Sequence, residues 1–348
     1  LKSLAGWMTD DDLSTLARPK GSPLTRSDIP LLDEAMDLLG PDPKTVAKQS
    51  AANARRAAEE QYAKDTLAAT GLGQGIVSSQ MLLDQMNGDD GELTAQRAAA
   101  DREWTYGHIV VDEAQELTAM DWRMLIRRCP SRSFTIVGDV AQTSALAGTR
   151  RWDKTMNRLF GEGHWDLNEL TINYRNPQEV SDLASRFAQN EGLYISTVNA
   201  VRALPDSVSR HVVDDMKALL TVTSNQAAQL ANHFVSADGT GRIAIICPDD
   251  LIKPVREAVR HRLSSLMAPS EYQRLIDQPE WDEQISVCGT EMVKGLEFDA
   301  VIVIEPGRIE DDAPSRLVAA SDLYVATTRP TQKLVIVRTK EDERSLNI

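Results

Sequence analysis

The chain has 348 residues, 42% of them apolar, enough to build a core in each of two domains of ordinary size. Its 52 acidic side chains outnumber 38 basic ones, giving a formal charge of -14, which excludes broad attraction to a phosphate backbone as the main binding mode. Any nucleic acid contact needs a local basic groove, and an acidic surface equally suits a basic partner, including one whose own channels hold nucleic acid. Cys129, Cys247 and Cys288 form no C-x-x-C pair and are accompanied by only five histidines. Neither a zinc site nor a disulfide framework is expected, and the compartment reads as reducing, hence cytoplasmic. No apolar run approaches membrane-spanning length and the first residues form no signal peptide, so no membrane role is expected. A start at Leu1, without Met, reads as a piece of something longer.

Residues 1–107 are poor in strand signals. Helix formers dominate from Asp28 to Leu39 and from Lys44 to Ala69, separated by Pro41 and Pro43. Gly71, Gly73 and Gly75 follow, then a short apolar helix around Met81–Met86 and the exposed acidic turn Asn87-Gly88-Asp89-Asp90-Gly91. From Tyr106 onward, short Val/Ile runs alternate with helical segments, the pattern of parallel strands joined by crossover helices. Strands are expected at 108–112, 134–138, 167–172, 242–247, 284–288, 300–305 and 333–338, with a boundary between two α/β lobes near 160–166, around Gly161 and Gly163.

The chemistry starts at Ile109-Val110-Val111-Asp112-Glu113, which puts two carboxylates at the carboxyl end of a buried strand, where ligands bind in open α/β sheets. Asp112 there can hold Mg²⁺ and Glu113 can polarise an attacking water, although an acidic pair after a strand also serves as a plain helix cap. A second strand, Phe134 to Gly138, ends in Asp139, with Gln142 three residues on and able to sense a γ-phosphate or a bound water. Asn173-Tyr174-Arg175 ends the third strand: Tyr174 offers a flat face for a base and Arg175 a guanidinium for developing charge. Lys294-Gly295-Leu296-Glu297-Phe298 precedes a further strand, and Tyr324 to Arg329 supplies a second arginine. No G-x-x-x-x-G-K-[ST] phosphate loop stands ahead of these residues.

In this order the residues resemble the UvrD/Rep-like superfamily-one helicases from their second motif to their sixth, over residues 106–338. The resemblance implies two RecA-like parallel-sheet lobes, the first incomplete because it lacks its phosphate-loop unit, preceded by a mostly helical insertion. The implied division is 1–107 for the acidic helical region, 108–165 for the rest of the first lobe and 166–348 for the second. It implies ATP and Mg²⁺ as ligands, with Asp112 and Glu113 as metal ligand and catalytic base and Gln115 and Gln142 as coupling glutamines. Tyr174 takes the part of the adenine-stacking aromatic, Arg175 and Arg329 those of the γ-phosphate arginines, and Glu297, beside Gly295, that of the ribose contact. Singly, Tyr174 can be core and Glu297 a helix cap.

The chain also departs from that pattern. Without a phosphate loop, it is expected to hydrolyse almost no ATP by itself. The two aromatics that stack on single-stranded bases are replaced by Ala145 and Ala147, and each such stack is worth about 1–3 kcal/mol per base. Trp152 is the one nearby aromatic that could replace them. Glu291 stands where many members have a histidine, and its charge repels phosphates. Residues 176–288 leave little room for the large accessory domain of unwinding enzymes. These losses resemble the HelD branch, helicase-like factors that bind bacterial RNA polymerase and drive its release from nucleic acid. On that resemblance the partner is core RNA polymerase, nucleic acid contact by this piece is weak, and Asp84, Asp89, Asp90 and Glu92 form a loop tip for a basic or metal-containing channel. Asp10, Asp11 and Asp12 are a second acidic stretch of the same kind, or a helix N-cap. The alternative is a UvrD/Rep-type DNA helicase of repair or replication.

Overall fold

The computed structural model describes residues 8–40, 104–236, 238–276 and 283–342, together with scattered helical positions between 50 and 65. It has two compact units, one made of Leu1–Gly107 with Met120–Ser131 and one made of His108–Ala119 with Arg132–Ile348.

In the first unit, α1 (Asp10–Leu16) starts on a reciprocal cap: Asp12 N donates to Thr9 Oγ1 (3.1 Å) while Thr9 N donates to Asp12 Oδ2 (2.8 Å). The three consecutive aspartates are therefore the first turn of a helix, where carboxylates favour the positive end of the helix dipole. α2 (Asp28–Leu39) has the extent its composition predicts. Its acidic stripe meets two arginines of α3 (Ala119–Arg128): Arg123 pairs with Glu34 at 2.7 Å, and Arg127 pairs with Asp33 at 2.5 Å and with Glu34. The described positions between 50 and 65 are helical, within the helix expected over 44–69. The helix expected at Met81–Met86, the acidic turn after it, and Asp84, Asp89, Asp90 and Glu92 lie outside the described residues.

The second unit opens with β1 (Ile109–Val111) and β2 (Phe134–Ile136), paired in parallel with Ile109 opposite Phe134. After α4 (Trp152–Phe160) comes β3 (Ile172–Pro177), which leads into α5 (Gln178–Asn190) and pairs in parallel with β4 (Asn199–Arg202). The strand expected at 167–172 is thus displaced towards the carboxyl end. Leu167 and Leu170 are exposed, and the backbone of Ile172 and Asn173 has β4 to pair with. Then follow β5 (Val208–Val213), α6 (Met216–Phe234), β6 (Ile243–Ile246), α7 (Asp249–Leu266), α8 (Pro269–Ile276), β7 (Ile285–Cys288), β8 (Phe298–Ile304), α9 (Pro306–Asp312), α10 (Arg316–Thr328) and β9 (Pro330–Thr339). These five strands form one parallel sheet in the order β5-β9-β8-β6-β7.

A parallel sheet of this kind is covered on both faces, and its central strand reads as a continuous apolar run. β8 meets that description. Val301 and Val303 face one core, with Leu183 of α5 and Leu323 of α10, while Ile302 and Ile304 face the other, with Leu219 of α6 and Val255 and Val259 of α7. The α/β class expected from the sequence is the class of the structure. Among the described residues no helix is long and apolar enough to cross a membrane. The three cysteines are buried and none is in a disulfide, and burial pushes the Cys247 thiol up to about 12 and Cys288 to about 11.

Ile302 is completely buried at the centre of this sheet. Replacement by Ala is expected to lower unfolding stability by about 2–5 kcal/mol, read as a fall in the urea midpoint at unchanged slope.

Candidate functional site

The carboxyl ends of β1 and β2 lie side by side because the two strands are parallel and in register. Asp112 follows β1, and its Oδ1 accepts from Glu113 N at 2.8 Å. Glu113 then takes a left-handed conformation (φ 49°, ψ 36°), which ends the strand abruptly and starts the 3-10 turn Ala114–Glu116. Gln115 points inward and is 1% exposed. Its Nε2 donates to Glu113 Oε2 at 2.6 Å, and its Oε1 accepts from Asp139 N at 3.1 Å. One buried amide thus joins the ends of both strands.

On the β2 side, Asp139 caps the 3-10 turn Val140–Gln142 by accepting from Ala141 N at 2.9 Å, and it also accepts from Gln142 Nε2 at 3.0 Å. The Gln142 Oε1 accepts from Arg329 Nη2 at 2.6 Å. Arg329, 2% exposed, terminates α10 and also donates from Nε to Val325 O and from Nη1 to Leu296 O, each at 3.3 Å. An unbroken chain of hydrogen bonds therefore runs from Glu113 through Gln115, Asp139 and Gln142 to Arg329.

Burial pushes the Asp139 carboxyl above its usual range, against the hydrogen bonds from Ala141 and Gln142 and the nearby Arg329 charge; Glu113 pushes it up further. Burial holds Arg329 below the usual arginine value and the neighbouring Arg175 lowers it more, while Glu113, Asp139 and Glu297 act the other way. Two guanidinium groups brought together in this way form a place where an added anion relieves repulsion. Arg175 is half-exposed and pairs with Glu297 at 2.5 Å.

These groups border a cleft of about 800 Å³. Asp112, Glu113, Gln142, Arg175 and Arg329 line it, and Gln115 lies buried beneath. Gly295 has a positive φ (70°), and a Cβ there would stand 3.7 Å from Glu113 Oε1, so this turn runs beside the carboxylate. Glu297 reaches the site only through Arg175. Tyr174 is 70% exposed and is not among the lining residues, so the structure does not bring it together with the others.

Asp139 joins the site with no role expected of it from the sequence, although a carboxylate directly after an apolar strand is a signal for one. Tyr324, likewise unexpected, lines the cleft near Asp139, and its hydroxyl is pushed up by burial and by that carboxylate. Trp165 and Tyr194 add aromatic wall, and no periodicity announces them. Trp152 also lines the cleft and rests close to Gly138.

Gly138 must be glycine on grounds of space. A Cβ would stand 2.3 Å from Gln115 Oε1, 3.1 Å from Ala114 N and 3.2 Å from the Trp152 ring. Gly138→Ala is expected to displace the Gln115 amide and destabilise the second unit by about 1–3 kcal/mol, measured by urea unfolding.

Comparison with known proteins adds similarity to solved structures alone. No protein-family model matches the chain. No curated protein matches it. Among solved structures, the chain is similar to the C-terminal domain of a possible DNA helicase from Lactobacillus plantarum WCFS1, with 18% identity and a TM-score of 0.34 over 48% of this chain and 88% of that one.

Proposed function

We propose that this chain supplies the water-activating and arginine-bearing half of a nucleoside triphosphatase site in a helicase-like motor. The observation that carries the reading is the hydrogen-bonded chain from Glu113 to Arg329, which links a carboxylate able to accept a proton from water to a buried cation able to neutralise phosphoryl charge. In this reading Glu113 orients the attacking water and takes its proton, and Gln115 fixes the carboxylate. Arg329 and Arg175 stabilise charge that develops on the transferred phosphoryl group. Gln142 makes the position of Arg329 depend on what occupies the cleft. Glu297 holds Arg175 in place.

Mg²⁺ is ordinarily bound by one or two protein carboxylates together with substrate phosphates and water, not by an all-protein cage. The residues fit that pattern: Asp112 offers its carboxylate at the cleft, and among the described residues no cluster of three or more ligand side chains is present. When bound, Mg²⁺ would neutralise phosphate charge. Because no phosphate-cradling loop occurs in the sequence, the chain by itself is proposed to bind ATP weakly and to turn it over negligibly.

The finer reading is a motor that binds bacterial RNA polymerase and promotes its release from nucleic acid. Supporting it are the charge of -14, the small residues Ala145 and Ala147 where base-stacking aromatics would be needed, and the exposed Glu291 in the turn Thr290–Val293.

Two measurements on the longest polypeptide containing this sequence test the reading. ATP turnover is expected to fall about 10²–10⁴-fold with Glu113→Gln and about 10³-fold or more with Arg329→Ala. Turnover that survives both changes would refute the assignment. Retention of core RNA polymerase at moderate salt is expected, and ATP-driven separation of a tailed DNA duplex without such retention would favour a DNA helicase instead.

A further inference from the structure

Beyond the cleft, α10 is fastened to the segment after Gln142 a second time. Glu116 accepts from the backbone N of Ser144 at 2.9 Å and of Ala145 at 3.0 Å, which fixes that segment's path. The Ser144 hydroxyl donates to Asp322 Oδ1, and Lys294 Nζ stands 3.7 Å from the same oxygen. Asp322 is 8% exposed, a costly place for a carboxylate unless its partners hold it. Burial pushes its carboxyl up; the Ser144 bond and the Lys294 charge oppose this, while Glu291 and Glu116 add to it.

Asp322 precedes Arg329 by seven residues, close to two full turns, so the two project from nearly the same face of α10, about 10 Å apart along its axis. Each is tied to one short stretch of chain, Arg329 to Gln142 and Asp322 to Ser144. Leu323, Val325 and Ala326 already fix the roll of α10 in the core, so the two ties bear on the stretch from Gln142 to Ser144. The second tie sets where that stretch lies against the helix.

We propose that Asp322 is a positioning residue: by holding Ser144 it fixes the preceding stretch against α10 and so keeps Gln142 on the Arg329 guanidinium. What Arg329 then does rests on the triphosphatase reading above, but the tether itself does not.

The test uses the chain labelled with ¹⁵N-arginine. The Arg329 Nη–H signals, which report the bond to Gln142, are identified by their loss in Arg329→Lys, and their hydrogen exchange is followed. Asp322→Ala and Ser144→Ala are expected to speed exchange about tenfold or more, the factor that corresponds to losing one hydrogen bond to a charged group. Asp322→Asn keeps an oxygen that accepts from Ser144, and exchange near the unmodified rate is expected. Unchanged exchange in the alanine variants overturns the proposal, and so does an effect of Asp322→Asn as large as that of Asp322→Ala. Should Asp322→Ala fail to fold, Ser144→Ala decides by the same signal. In the ATP-hydrolysing polypeptide, Asp322→Ala is expected to lower kcat with KM unchanged. If the unmodified polypeptide hydrolyses no ATP, the triphosphatase reading falls, while the exchange result still judges the tether.

Discussion

The buried amide of Gln115 is the constraint on which the site depends. An amide enclosed to this degree must find partners, because an unmade hydrogen bond there costs about 1–3 kcal/mol. Gln115 meets the requirement by bonding Glu113 on one side and the backbone of Asp139 on the other, which fixes the separation of two strand ends. Its carbonyl oxygen also accepts from Thr149 N at 2.7 Å. Two glycines follow from its placement, since a Cβ at Gly138 would strike its side chain and one at Gly148 would lie 2.5 Å from its carbonyl oxygen. One residue thus dictates residue choice at two positions further along the chain.

The site draws on three sheets, two of them used in opposite senses. Asp112 and Asp139 follow the carboxyl ends of β1 and β2, the usual place for ligands. Gly295 and Glu297 precede β8, and Arg329 precedes β9, whose start is joined to β8 by the bond from Phe298 N to Arg329 O at 3.2 Å. Asp112, Glu113 and Asp139 are therefore set by the β1–β2 sheet and Arg329 by the five-stranded one, with Gln142 as the polar link between them, while Arg175 comes from β3. Because Arg175 and Arg329 repel, their arrangement is held by Glu297, Gln142 and the carboxylates, and not by any attraction of their own.

Much of this was legible in the sequence for a simple reason. Apolar runs such as 300–304 belong to fully covered parallel strands, and the residues directly after such runs fall at sheet ends. Helix α2 was legible from composition. β4 and β5 were not, because Asn199–Arg202 and Val208–Val213 are half-exposed and mix polar with apolar residues. β3 starts later than its leucines suggest, because the pairing with β4 is made by Ile172, Asn173 and Pro177 and not by Leu167 or Leu170. Asp112 and Glu113 directly follow an apolar run, and the position of such residues at a strand end is legible from the sequence. The burial of Arg329, the exposure of Tyr174 and the bond from Ser144 to Asp322 depend on which distant segments meet, and local spacing carries no record of that.

The pairing of α2 with α3 turns the usual arrangement of a surface helix inside out. Asp33, Glu34 and Asp37 take the side facing Arg123 and Arg127, while Leu31, Leu32, Leu38 and Leu39 stay exposed. Such a helix is attached by charge and not by exclusion of water. Added sodium chloride screens those pairs over a distance of about 8–10 Å at ordinary ionic strength and weakens the attachment, whereas sulfate strengthens apolar burial and tightens the sheet in the other unit. The two units of this chain are thus built to respond to ionic conditions in opposite directions.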